Sequence, residues 1–334
     1  MEDKSVKNNQ SFTREKSLIE RTECSIPIIQ QKEDTVFPMN SNKKLSNDVN
    51  ITDRKKRPLE KFIYSVIFLL SGCAFALVIY FIAVILIKGI PSVSLQFLTT
   101  APNPIKQTVG ILPSIVNTLY IILFTLIICV PIGVGGAIYL NEYAKNKRFV
   151  GIIEFAAETL SGIPSILYGV FGYVVFCLLL NLKVSLKAGI LTLTIMVLPI
   201  MIRTTQEALK SVPMTYREGA LGMGSTKWHM VRTILLPSSL KGILTGIILS
   251  IGRMVSESAA LLLVAGGSAM YMPKGSIFDQ LSGSGSTLSV ELYRYAYSRG
   301  ENETAFGIAA VLIVIVILLN FLMRFIAGRL NRNE

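Results

Sequence analysis

Histidine is almost missing from this chain of 334 residues. His229 is the only one, and tryptophan also occurs once, as Trp228. One imidazole excludes a histidine-based metal centre built within a single chain. Cysteine is scarce as well, with four residues. Cys73, Cys129 and Cys177 fall in apolar blocks and Cys24 in a polar tail, too few for a disulfide scaffold and with no metal-ligand spacing. Charged residues make up 16% of the chain against 51% hydrophobic. No stretch reads Gly-x-x-x-x-Gly-Lys-Ser/Thr, so the phosphate cradle of a nucleotide-hydrolysing loop is absent. No nucleophile–base pair stands out in the apolar blocks. The sequence therefore predicts no catalytic residues, no cofactor and no metal of its own.

What the chain does have is apolar length. Blocks of roughly 20 residues match a bilayer crossing, and backbone amides in hydrocarbon must bond within the segment, which makes such blocks helices. The expected spans are Phe62–Ile87, Leu112–Leu140, Leu160–Leu182, Ala188–Ile202, Gly242–Ala265 and Ala305–Ile326. Pro131 and the Gly133–Gly136 run are expected to interrupt the second. The fold class is thus all-α, a polytopic membrane protein of about six helices in contact with membrane lipid. Residues 1–57 are polar and aperiodic and read as a disordered cytoplasmic tail. The formal charge of +12 is spread over loops and tail, a pattern that points to anionic headgroups rather than nucleic acid. The bias of Lys and Arg places both termini in the cytoplasm. Arg54–Arg57, Lys145, Lys147, Arg148 and the basic residues of 203–241 fall on that side. The 267–304 connection falls outside, and its Leu281–Ser286 stretch reads as a flexible Gly/Ser segment.

The inside segment 203–241 reads as two short helices around a corner. Helix formers run from Glu207 to Met223. Gly224 supplies a left-handed stop, Ser225 or Thr226 caps the next helix, and Pro237 ends it. A helix–turn–helix with a bare corner is a compact knob suited to a partner's cleft. The sequence from Glu218, Gly219 and Ala220 through Gly224 to Ile234, Leu236 and Pro237 resembles the EAA loop of ABC-importer permeases, with Gly219 where the family's middle alanine stands. The resemblance implies that these residues dock on a separate ATPase. An amphipathic linker helix is the alternative.

Arg253 and Glu257 lie inside the fifth apolar block, with Ser256 between them. A charge at mid-membrane costs about 2.5–3.5 kcal/mol on insertion scales, so both should face the bundle interior. On one continuous helix an i,i+4 pair shares a face. Two readings stand: a structural ion pair that fixes packing, or a pathway element in which the guanidinium fork meets anionic oxygens and Glu257 keeps them from being held too tightly.

Further segments carry a resemblance to phosphate ABC transporter permeases of the PstA type, with MetI-like architecture, over about residues 58–330. They are Gly110–Tyr120, Pro131–Ala144, Gly162–Gly172, Arg203–Leu209 and the stretch from Gly252 to Ala259. Where that family usually reads Gly-Glu-Thr-Ala-Pro, this chain has Ser256-Glu257-Ser258-Ala259-Ala260. The resemblance implies import of inorganic phosphate through a pathway lined by Arg253, Glu257 and Ser256. It also implies four kinds of partner: a PstB-like ABC ATPase dimer, a PstC-like second permease, a PstS-like extracytoplasmic phosphate-binding protein, and the cell membrane itself. A PstC-type sister subunit, a permease for sulfate or molybdate, and a non-transporting membrane anchor or signalling subunit are the alternatives.

Overall fold

The computed structural model describes residues 58–102, 109–267 and 277–330. The expected tail 1–57 lies outside the described residues. Helix α1 (Pro58–Gly89) is apolar around its whole circumference. Phe68, Leu69 and Phe75 are exposed, as a helix in an apolar surround would have them. Helix α2 (Leu112–Ile138) runs on through a π-turn, Tyr139–Tyr143. Pro131 and the glycine run do not interrupt it. Gly133 acts instead as a packing position, because a Cβ there would lie 2.7 Å from the Met201 side chain.

The third expected span is broken. Helix α3 (Lys147–Ser161) and helix α4 (Ser165–Gly172), which continues as a π-helix Tyr173–Leu179, meet at 102°. Gly162, Ile163 and Pro164 occupy the corner, and a proline there removes the donor that a continuous helix would need. Leu160 therefore belongs to the first arm and not to a straight span. Helix α5 (Leu186–Lys210) is longer than the expected fourth span. It starts at Ser185, whose hydroxyl accepts from the Ala188 amide at 3.4 Å.

The expected helix from Glu207 to Met223 is split, because Ser211, Val212 and Pro213 separate α5 from helix α6 (Met214–Gly222). Pro237 does not end the following helix. Helix α7 (Lys227–Met230), a π-stretch Val231–Leu235 and helix α8 (Leu236–Val255) form one 29-residue rod. The widened turn lies where Pro237, lacking an N–H, would otherwise collide with the preceding turn. The expected fifth span to Ala265 is broken too. It stops at Val255, and helix α9 (Ala259–Val264) begins after three non-helical residues. Helices α10 (Leu288–Tyr293) and α11 (Asn302–Leu330) follow, and the short helices Leu95–Thr99 and Ile277–Ser282 lie in the connections before α2 and α10.

Among the described residues, five helices are long and apolar enough to cross a membrane, and six if the bent pair counts as one span. The main core lies among α2, α5, α8 and α9, with Ile121, Leu193, Met201, Ile251 and Leu261 buried in it. A separate cluster around Ala137, Leu209, Ala220, Met230 and Leu235 closes the end that bears the 211–226 turn. Another, around Phe97, Ile111, Leu288 and Ile308, closes the opposite end.

Candidate translocation and coupling sites

The break at Ser256–Ser258 decides how Arg253 and Glu257 behave. Arg253 sits in the last turn of α8, where unpaired carbonyls favour a cation. Its Nε is buried and meets no hydrogen-bond partner, and the side chain makes no ion pair among the described residues. Glu257 lies beyond the break and is 6% exposed. Its Oε1 accepts from the Ala260 amide at 3.0 Å, so it caps the start of α9. The Ser256 hydroxyl donates to the Arg253 carbonyl at 3.1 Å. The two charges are therefore not an i,i+4 pair on one helix face, and the structural ion pair is not formed. Each is held by a helix end of opposite polarity, which leaves the guanidinium fork without a carboxylate.

The Gly/Ser segment also departs from expectation. Ser286 is fully buried. The Gly285 amide donates to the Ala265 carbonyl at 2.9 Å and the Leu186 amide to the Gly283 carbonyl at 3.0 Å. Asn117 Nδ2 donates to the Ser286 carbonyl at 3.2 Å, and the Leu288 amide to Thr118 Oγ1 at 3.0 Å. The Ser286 hydroxyl and Arg294 both reach Glu291 Oε1, at 2.6 and 2.7 Å. The segment is a packed strap and not a flexible linker. Glycine at 285 is required by close approach, since a Cβ would lie 2.6 Å from Asn117 Nδ2. Serines that bond carbonyls satisfy a buried irregular backbone, but composition alone gives the same signal as a solvated linker. Helix α10, which follows the strap directly, reaches the charged site as well, because the Ser289 hydroxyl donates to the Glu257 carbonyl at 2.8 Å.

At the opposite end the Gly224 stop and the Thr226 cap form as expected, although Ser211–Pro213 split the helix before them. Gly224 has φ +82°, a left-handed conformation that suits glycine. Thr226 Oγ1 accepts from the His229 amide at 3.3 Å. Glu218, Gly219 and Gly224 are exposed, Ala220 is buried, and Ile234, Leu236 and Pro237 are half-buried. Ala220 anchors the corner in the cluster with Leu209, Met230 and Leu235. Met214, Tyr216, Met223 and Trp228 stand out from it, Met223 at 85% exposure, which is an apolar patch of the kind that marks a partner surface. Arg217 pairs with Glu142, 75 positions away, at 3.3 Å, a contact with no local signal in the sequence.

The model of the family of binding-protein-dependent transport system inner membrane components matches residues 130–333. The probable ABC transporter permease protein YqgI of Bacillus subtilis is 39% identical over 191 residues, 57% of this chain and 65% of that protein. The phosphate transport system permease protein PstA homolog of Mycoplasma pneumoniae is 38% identical over 64% of this chain. This chain spans only 33% of that longer protein. The phosphate transport system permease protein PstA of Pasteurella multocida is 32% identical over 71% of this chain and 83% of its own length. Among solved structures, a chain of a bacterial alginate ABC transporter superposes with TM-score 0.59 at 14% identity, covering 82% of this chain and 95% of that one. That likeness is one of fold.

Proposed function

Since this chain belongs to the family of binding-protein-dependent transport system inner membrane components, a multi-pass membrane transport subunit rather than an enzyme, we propose that it is the PstA-type permease of an ATP-driven importer of inorganic phosphate. The observation that carries the substrate reading is Arg253, a half-buried side chain at the end of α8 with its Nε buried and no carboxylate beside it among the described residues. A planar donor fork matches phosphate oxygens. Glu257, engaged as a helix cap, limits the net positive charge without occupying the fork, so that the anion can leave. Ser256 bonds the Arg253 carbonyl and supports the turn that presents it.

The end bearing Glu218, Gly219, Ala220 and Gly224 faces the cytoplasm in this reading, as the basic residues there favour. It docks on an ABC ATPase dimer carried by other chains. The exposed Met223 and Trp228 supply apolar contact, and Ile234, Leu236 and Pro237 lie at the widened turn within the rod that follows the corner. A PstC-like permease completes the pathway and a PstS-like binding protein delivers phosphate from outside. Both termini are cytoplasmic, with 1–57 as a tail.

The test is uptake of labelled phosphate by vesicles holding the complex with its ATPase, partner permease and binding protein. Excess unlabelled phosphate should suppress uptake, and sulfate and molybdate should not. Equal suppression by sulfate or molybdate would reassign the substrate, and ATP hydrolysis without uptake would make the chain an anchor or signalling subunit.

A further inference from the structure

We propose that the largely buried Arg217–Glu142 ion pair is the mechanical link between the 211–226 turn and α2, a positioning pair through which motion of the turn reaches the strap and, beyond it, Glu257. The proposal rests on the reading of the chain as an ATPase-driven permease. Arg217 Nη2 stands 3.3 Å from Glu142 Oε1, with the side chains 15% and 9% exposed. The same Nη2 donates to the Leu209 carbonyl at 2.7 Å, and Lys227 Nζ donates to the Glu142 carbonyl at 3.4 Å. Arg217 on α6 thus ties the carboxylate on the π-turn that ends α2 to the end of α5, and the backbone carbonyl of the same Glu142 holds the start of α7. Burying such a pair is weak evidence of stabilisation, because apolar residues of similar volume would serve as well. A buried pair does fix the relative placement of the elements that carry it. The exposed pair Arg203–Glu158, at 56% and 69% exposure, has no such constraint.

What α2 carries at its other end makes the placement matter. The helix is 27 residues long, roughly 40 Å at 1.5 Å per residue. Its first turns hold Asn117 and Thr118, which bond the Ser286 carbonyl and the Leu288 amide. Helix α10, which follows the strap directly, then holds the Glu257 carbonyl through Ser289. A displacement of the turn is therefore passed along a stiff rod to a hydrogen-bonded segment that adjoins the charged site. Each joint is polar and geometrically specific, as a contiguous coupling network requires.

The assembled complex in vesicles tests this, with phosphate uptake and ATP hydrolysis measured together. Glu142→Gln should lower phosphate moved per ATP by about fivefold or more, within the usual range of coupling between sites. ATP hydrolysis should stay within about twofold of the unaltered complex. Thr118→Val, which removes the acceptor of the Leu288 amide at the far joint, should give the same signature. Combining the two should be no worse than the stronger single change, because both cut one path. If Glu142→Gln does not assemble, Arg217→Gln/Glu142→Gln, which strands neither charge, carries the measurement. An unchanged ratio, or independent multiplication of the two effects, overturns the link. A merely structural role would lower the amount of complex and leave the ratio intact. Absence of phosphate uptake in the unaltered complex would instead overturn the proposed function.

Discussion

Arg253 and Arg217 each bury a guanidinium Nε that meets no acceptor, yet their surroundings treat the remaining charge in opposite ways. Arg217 is consumed by the protein, through Glu142 at 3.3 Å and the Leu209 carbonyl at 2.7 Å. Arg253 makes no ion pair among the described residues and rests on the carbonyl end of α8. The nearest candidate carboxylate in sequence, Glu257, is turned to the start of α9. A cation with its partner already supplied organises structure. A cation held only by a helix end has its fork left over, which is the basis of the pathway role proposed for Arg253.

That contrast is sharpest in stability. Arg217→Gln should destabilise the protein by about 3–5 kcal/mol, because it strands a buried carboxylate. Thermal unfolding of the purified chain beside the unaltered protein would show it, and a loss under about 1 kcal/mol would mean the pair is effectively solvated. Gly285→Val should come next, at about 1–3 kcal/mol, since the added methyls collide with Asn117 in a packed site. In the same region Ser286→Cys should resist a thiol reagent in the folded protein and react after denaturation. Rapid labelling in the fold would show that the strap opens. Glu257→Gln should lose only about 0.3–1 kcal/mol, since the amide oxygen still caps α9 and only the charge at the helix start is gone. Smallest of all, Glu158→Gln should change stability by less than about 1 kcal/mol, because its pair with Arg203 is solvent-exposed.

The sequence made the spans legible because apolar length is a direct consequence of bilayer thickness. It made the corner legible because Gly224 and Thr226 act within a few residues of themselves. The breaks were harder. Gly162-Ile163-Pro164 carries a proline, but Pro131 and Pro199 lie in helices that continue, so the residue type does not separate a bend from a tolerated proline. Ser256-Glu257-Ser258 is a run of capping residues inside an apolar block. Read as capping chemistry it would have located the break and dissolved the expected i,i+4 pair. The strap and the Arg217–Glu142 pair were not legible. Both join residues far apart in the chain, and hydroxyls that satisfy a buried backbone look in sequence like hydroxyls that meet water.

The most direct measurement is uptake by Arg253→Gln, normalised to the amount of assembled complex. The substitution breaks no ion pair, so assembly should match the unaltered chain and stability should fall by no more than about 0.3–1 kcal/mol, the worth of a cation at a helix end. Phosphate uptake should be lost while the complex remains intact. Normalised uptake near that of the unaltered complex would contradict the account, because the free guanidinium would then have no part in moving the anion.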